Sequence, residues 1–420
     1  MKLLFRLAAL SAWNRRYTLG LSLIAIVLSS TLLFGIERLR QDVRTSFAQS
    51  VSGTDLIVGT RGSPLQLMLF TVFRLGEPTG TLRWASAQAL ARHPEVAWTI
   101  PIALGDSHRG FPVIGTSTDY FVHFRYGAGR PLRVANGQPF VQLFDAVLGA
   151  DVAERLDYRV GDHIVLAHGS GGSGLATHAD KPFVVSGILA RTGTPVDRSV
   201  HISLEALEAI HLDWQGGAPL PGVSIPAEYV RKFDLRPKAV TALLIGLKSR
   251  SAVFAMQREI SRWPAEPLTA ALPAVALDEL WRLLDSGEQA LRLVSVLALI
   301  SGLAGMVAVV LAGLDQRRRE LSILRSVGAA PSHIFTLLAV EGVGLTLLGT
   351  LLGIALQSTL ALLGGNWLEA RYGIAPSIFS ASREELTLLA AIVFAGSIAS
   401  LLPGYRAYRL SLSDGLTPRL

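Results

Sequence analysis

Cysteine is absent from the 420 residues, and charged side chains make up only 17% of them. Without cysteine the chain has no disulfides, no thiolate metal ligands and no cysteine nucleophile, and its redox compartment is left open. Charge this sparse, beside 50% hydrophobic residues and a mean hydropathy of +0.41, excludes an ordinary soluble protein. The 40 glycines, 20 prolines and long stretches of normal charge density equally exclude a membrane bundle throughout. The balance implies membrane spans joined to a soluble domain.

Four segments contain no charged residue: Tyr17 to Ile36, Leu293 to Leu314, Gly342 to Leu368 and Leu386 to Tyr405. Each reaches the roughly 20 residues that cross about 30 Å of hydrocarbon at 1.5 Å per residue. They predict four transmembrane helices, at 17–36, 293–314, 334–368 and 386–405. The first follows Lys2, Arg6, Arg15 and Arg16, as a secretion signal would. Its apolar run is longer than such a signal and no small-x-small cleavage site follows, so it reads as an uncleaved anchor.

The short flanks set the orientation. Arg317, Arg318, Arg319 and Arg325 lie between spans two and three, and Arg406, Arg409 and Arg419 lie in the tail. The opposite loop, 369–385, offers Arg371 and Arg383 beside Glu369, Glu384 and Glu385. The positive-inside rule then assigns 1–16, 315–333 and 406–420 to the cytoplasm, both termini included, and 37–292 to the far side. That large segment is nearly neutral. The formal net charge of +7 and pI of 9.9 are therefore a topology signal, and nucleic acid is not an expected partner.

Segment 37–292 is long enough for one or two cores. Asp55 to Gly59, Val96 to Ala103, Phe111 to Gly115 and Thr241 to Leu247 read as strands, and Trp84 to His93 and Ala252 to Trp263 as helices. These pieces predict an α/β subdomain built from both ends of the segment. The middle, Phe121 to Pro237, holds short strands such as His163 to His168 and Pro182 to Ile188 between glycine-rich turns, and predicts a β-rich insertion. The fold class is thus a membrane α-helical protein of four transmembrane helices with a large α/β plus β-rich extracytoplasmic domain.

Leu39, Val43 and Phe47 recur every four residues after span one, and Leu280, Leu284 and Leu291 do much the same before span two, each set among charges. Both segments read as helices continuing out of the bilayer with one apolar stripe. They either pack together as a stalk or dock separately on the domain core. On the cytoplasmic side, 315–333 encodes a short amphipathic helix. Leu321, Leu324 and Gly328 share a face, Arg318, Glu320 and Arg325 occupy others, and Gly328 with Pro331 ends it before span three. Such a helix either lies on lipid headgroups or docks a cytoplasmic partner. Glu341 opens the charge-free part of span three, where a carboxylate is costly. It either pairs with the arginine-rich helix or a neighbouring span, or reaches back to water.

Other local motifs are weak. Gly169 to Gly174 matches G-x-G-x-x-G, but strand-like sequence follows it, which favours a flexible hairpin loop over a nucleotide site. His163, His168 and His178 lie near that loop; His163 and His168 are an odd number apart on one strand and would point to opposite faces. No metal site, cofactor site or catalytic constellation is predicted.

The run DQRRRELSILRSVGAAPSHI, followed by FTLLAVEGVGLTLLGTLLGIALQ, resembles the core of the FtsX/MacB (type VII) permease family of ABC transporters. The tail PGYRAYRLSLSDGL resembles that family's closing element, a basic turn leading to a second cytoplasmic contact. The stretches LGADVAERLDYRVGDHIVL, KPFVVSGILARTGTP and VHISLEAL are similar to its MacB-like periplasmic core domain. The resemblance implies that Arg317, Arg318, Arg319, Glu320, Leu321, Leu324, Arg325 and Gly328 contact an ATPase. It also gives Glu341 a counterpart, since a glutamate is common there in the family. No G-x-x-x-x-G-K-[ST] phosphate loop occurs, so the ATPase is expected on a separate subunit. The implied setting is the bacterial cytoplasmic (inner) membrane. The implied partners are that ATPase, a second permease subunit in a homo- or heterodimer, and a periplasmic adaptor or binding protein. Two functions fit: a non-enzymatic permease that exports or extracts a lipoprotein, peptide or small molecule, and an FtsX-like transducer that activates an external partner such as a cell-wall hydrolase without transport. The size of 37–292 favours the first.

Overall fold

The computed structural model describes residues 16–127, 129–169, 177–215, 218–220, 225–316, 329–372, 376–377 and 382–409. The chain divides into two compact units. One comprises Met1–Asp42, Asp285–Leu368 and Pro376–Leu420, the other Val43–Leu284 and Glu369–Ala375.

The first unit is helical. Its elements are α1 (Arg16–Gln49), α8 (Pro273–Gln316), α9 (Pro331–Tyr372) and α10 (Arg383–Arg409), with α1 and α8 contributing their remaining turns to the second unit. All four are long and apolar enough to cross a membrane. Ile26, Leu33 and Phe34 of α1 pack with Leu299, Leu303, Met306 and Val310 of α8, Ile334 and Leu338 of α9 and Ile392 of α10. Lipid is as apolar as these side chains, so close backbone approach has to hold the helices together. Small residues supply it: a Cβ on Gly353 would lie 2.7 Å from the Ser30 Cβ and 3.0 Å from the Val27 carbonyl, and one on Gly342 2.4 Å from the Ser400 Cβ. Hydrogen bonds reinforce the same seams, with Ser29 Oγ donating to the Ala298 carbonyl at 3.0 Å and Thr31 Oγ1 to Gly353 at 3.1 Å.

Pro331 is the first residue of α9, where a missing N–H costs nothing. Pro403 lies inside α10, which continues to Arg409. The turn expected after the last span is therefore helical as far as Arg409, and the rest of the tail lies outside the described residues.

The second unit is built on one sheet. Its strands are β1 (Leu56–Thr60), β2 (Val96–His108), β3 (Phe111–Thr116), β4 (Val134–Gly137), β5 (Asp145–Leu148), β6 (His163–Ile164), β7 (Ala167–His168), β8 (Phe183–Leu189), β9 (Val200–Ser203), β10 (Ala242–Leu247) and β11 (Leu268–Ala271). They run in the order β11-β1-β10-β2-β3-β9-β5-β8-β4, with β7 added on β2 and β6 on β8. The pairs β3–β9 and β5–β8 are parallel and the others antiparallel. The β-rich middle of the segment thus extends the sheet begun by its two ends, and it adds two short ribbons of its own, Arg125–Tyr126 with Arg130–Pro131 and Trp214–Gln215 with Ala218–Pro219. Parallel pairing of strands far apart in sequence closes this arrangement, and no local signal encodes it.

Successive residues of a strand face opposite sides, and here both sides are covered. Ile57, Ile102, Ile114, Val147 and Leu244 join one core. Their neighbours Leu56, Val58, Ala103, Leu243 and Ile245 join a second, closed by α3 (Trp84–Ala91) and α7 (Val253–Ser261) through Leu90, Met256 and Ile260. Val113, Ala146, Leu148, Val200 and Ile202 join a third under α5 (Ala150–Leu156) and α6 (Leu204–Ile210). Two-sided burial explains why the strands read as unbroken apolar runs. Of the remaining helices, α2 (Pro64–Thr71) starts on Ser63, whose side chain accepts from the Gln66 amide, and α4 (Asp119–His123) buries Tyr120.

Candidate functional site

The helical unit is crossed by a set of ion pairs. Arg38 of α1, with its side chain 4% exposed, reaches Glu385 of α10 at 2.8 Å and Gln357 of α9 at 2.8 Å. Glu37, one residue earlier, meets Arg292 of α8 at 3.4 Å, and Arg40 meets Glu288 of α8 at 3.4 Å. All four long helices are tied by these charges, which stand where the apolar run of α1 ends. The sequence set Arg38, Arg40 and Glu288 among the charges of the stalk helices and Glu385 in the loop before the last span. The available signal was that several helices each carry a charge at the same end.

Among the stalk residues, Phe47 and Leu280 pack on the sheet domain's first core, whereas Leu39, Leu284 and Leu291 are exposed on the single chain and Val43 is half-buried. Phe47 stacks on Phe73 with ring centroids 4.6 Å apart and meets Trp281 edge-on at 5.6 Å. Arg44 lies over Trp281 at 5.3 Å. Along α1 and α8, then, the contacts are Glu37–Arg292, Arg40–Glu288 and Phe47–Trp281, with Val43 and Leu284 between the last two. Polar pairs and one aromatic pair, the latter through Phe47 of the first apolar stripe, join these two helices. Glu341 is half-buried in α9, next to the Gly342–Ser400 contact. The predicted coupling residues Arg317, Arg318, Arg319, Glu320, Leu321, Leu324, Arg325 and Gly328 lie outside the described residues.

Two clefts open in the sheet domain and share Arg74. One, of about 300 Å³, is lined by Phe47, Phe73, Asp197 and Arg198; the other, of about 380 Å³, by Phe70, Glu77, Leu104, Asp106 and His168. Arg74 has a positive φ of 59°, rare outside glycine. Its Nε and Nη1 are buried without a hydrogen-bond partner among the described residues. Burial holds its pKa below the usual arginine value, with Tyr120 opposing. A cation presented this way suits an anionic or carbonyl-rich ligand.

At the edge of the second cleft four side chains converge: Asp106, His168, His178 and His211, whose nearest ligand atoms all lie within 4.8 Å of one another. Asp106 sits at a register shift in the β2–β3 pairing, and β7 pairs His168 directly opposite it. The segment read as one strand from His163 to His168 is two, β6 on β8 and β7 on β2, so the odd-number argument fails. His163 goes elsewhere and is exposed. His211 follows the end of α6, and its Nδ1 bonds the Leu207 carbonyl at 2.9 Å. Burial alone would raise the Asp106 pKa, but the His178 and His211 imidazoles beside it hold it far below the usual carboxylate range. Sequence reasoning placed His168 and His178 near each other and missed Asp106 and His211, which the sheet brings in from distant strands and turns. Most of the Gly169 to Gly174 loop lies outside the described residues.

The FtsX-like permease C-terminal family matches residues 292–412, and the MacB-like periplasmic core domain matches residues 19–262. No curated protein matches the chain. Among solved structures, the periplasmic region of MacB from Actinobacillus actinomycetemcomitans is similar at 8% identity and a TM-score of 0.32, over 55% of this chain and 94% of that one. The extracellular domain of the noncanonic ABC-type transporter YknZ from Gram-positive bacteria is similar at 10% identity and a TM-score of 0.30, over 52% of this chain and 98% of that one. Since the periplasmic core domain match takes in more than half of the chain and the permease match most of the remainder, the chain belongs to the MacB/FtsX-like family of ABC transporter permeases.

Proposed function

We propose that the chain is the permease subunit of an ABC transporter in the bacterial inner membrane, with both termini cytoplasmic and the sheet domain outside. A separate ATPase subunit drives it, and a second permease subunit completes the assembly. Nucleotide-driven motion of the cytoplasmic helices passes along α1 and α8 to the sheet domain, which exports or extracts a lipoprotein, peptide or small molecule.

The observation that carries this reading is helix continuity. Each of α1 and α8 is a single helix whose apolar turns belong to the helical unit and whose last or first turns belong to the sheet domain. A displacement at one end of an unbroken helix is felt at the other, because i to i−4 hydrogen bonds resist bending. The clefts around Arg74 support ligand handling on the sheet domain, since binding sites are concave and carry a few placed polar groups.

The test addresses the ATPase partner. Leu324→Asp puts a charge into the apolar face of 315–333 and is expected to reduce copurification of the ATPase while membrane insertion persists. Copurification at the wild-type level would contradict the docking role and favour a helix resting on lipid.

A further inference from the structure

We propose that Asp106, His168, His178 and His211 form a zinc site on the sheet domain. The spacing of the donors is that of a coordination shell. Zinc bonds of 2.0–2.1 Å arranged tetrahedrally set donors about 3.3–3.4 Å apart. The His168 Nδ1 lies 3.0 Å from Asp106 Oδ1 and 3.3 Å from the His211 Nε2. The His211 Nε2 lies 3.5 Å, and the His178 Nε2 3.9 Å, from the same carboxylate oxygen. Small side-chain rotations bring such a set onto one ion.

Hydrogen bonding accounts for only part of the cluster, through His168 Nδ1 with Asp106 Oδ1 and His211 Nε2. His178 has a fully buried side chain, yet among the described residues neither ring nitrogen has a hydrogen-bond partner, and Asp106 Oδ2 is likewise buried and without one. A buried polar group left so costs about 1–3 kcal/mol. His201 shows how a lone buried histidine is otherwise handled: its Nδ1 rests on the Val147 carbonyl and one nitrogen is left over. At His178 two nitrogens are left over, in a pocket where two more imidazoles and a carboxylate already point. A cation bound by lone pairs satisfies all of them at once.

The surroundings prepare the ligands. With its Nδ1 donating to the Leu207 carbonyl, His211 presents the Nε2 lone pair inward, the arrangement common around metal-bound imidazoles. Lys181, fully buried, bonds both oxygens of Asp213 at 2.9 Å and so clips the turn after His178 to the turn after His211. Trp214 covers the group, 4.2 Å from the His178 ring centroid. His168 and Asp106 line the second cleft, which gives an ion its route in.

Ligand chemistry selects the metal class. Magnesium and calcium take oxygen donors, so three imidazoles disfavour them. With no cysteine in the sequence, thiolate sites are excluded too. Three neutral nitrogens and one carboxylate at tetrahedral spacing suit zinc, and cobalt(II) can report on it. This inference does not depend on the transport reading, because zinc is counted without an ATPase or a substrate.

The full-length chain in detergent, stripped with a chelator and dialysed against buffered zinc, is expected to retain about one zinc per chain by mass spectrometry. H168Q and H211Q, both at partly exposed positions, are expected to lose it, while H163Q keeps it. Melting of the variants in chelator shows that they are folded. Cobalt(II) should give the intense visible bands of a tetrahedral site in the wild type and in H163Q, and weak ones in H211Q. Zinc uptake by the wild type no greater than by an H168Q/H211Q double variant, or equal loss in H163Q, overturns the site.

Discussion

Replacing Arg38 with methionine keeps the aliphatic stem and removes the guanidinium that joins three helices. Its side chain is 4% exposed and its partner Glu385 11%, so the pair is buried and little screened by solvent. Deleting one member of such a pair typically costs about 3–5 kcal/mol, because the other charge is left uncompensated. One feature reduces that here. Glu385 lies in the first turn of α10, where the helix dipole favours a negative charge by about 0.3–1 kcal/mol. Against this, Gln357 loses its 2.8 Å donor. The expected destabilisation is therefore about 2–4 kcal/mol. Reversible unfolding in mixed detergent, followed by tryptophan fluorescence, measures it. Adding Glu385→Gln to Arg38→Met removes the stranded charge and should recover part of the loss, giving a coupling energy above about 1 kcal/mol in a double-mutant cycle. An Arg38→Met variant within about 0.5 kcal/mol of wild type, with additive effects of Glu385→Gln, would refute the argument that this charge holds the bundle.

Two further outcomes follow from the sheet domain. Lys181→Met leaves the Asp213 carboxylate, among the described residues, with the Ile225 amide as its neighbouring donor and should cost about 3–5 kcal/mol in thermal melting; it should also raise the Asp213 pKa, which Lys181 now holds down against the effect of burial. His201 is fully buried, and burial first, then the charge of Arg74, pushes its pKa down to about 3. The unfolded chain takes up that proton near pH 6.5 and the folded chain refuses it, so the stabilisation is complete above pH 6.5 and lost as pH falls toward 3. The slope is about 1.4 kcal/mol per pH unit, or about 2 kcal/mol between pH 6.5 and 5. Melting temperatures across that range should fall less steeply in His201→Phe than in the wild type.

Much of the fold was legible because burial leaves a periodic trace. Asp55 to Gly59 and Thr241 to Leu247 announced strands, which became β1 and β10 paired with each other. The apolar runs of the four long helices announced four spans, and the continuation of α1 through Phe47 followed from a repeat of four. What was missed depends on contacts between remote positions. The middle of the domain joins the common sheet through β3–β9 and β5–β8 pairings that no neighbouring residues encode. The split between β6 and β7 frees Val165 and Leu166 from the ladder and turns His168 toward Asp106, so a periodicity argument over His163 to His168 had no single strand to act on. Asp106, His178 and His211 each look ordinary in sequence. Only the register shift in β2, the anchoring of the His178 amide on Leu166 and the end of α6 bring them within reach of one another.

The central claim is that α1 and α8 transmit motion between nucleotide and sheet domain. Val43 and Leu284 lie on facing helices between the Arg40–Glu288 and Phe47–Trp281 contacts, and the chain has no native cysteine to interfere. The decisive measurement is disulfide formation in the Val43→Cys/Leu284→Cys variant, assembled with its ATPase in membranes, with and without trapped nucleotide. Transmission requires two discrete arrangements of these helices. The account predicts that crosslinking differs between the two states, that the crosslink abolishes cellular function while ATP binding persists, and that reduction restores function. Crosslinking indifferent to nucleotide, or a crosslinked chain that still functions, would contradict it.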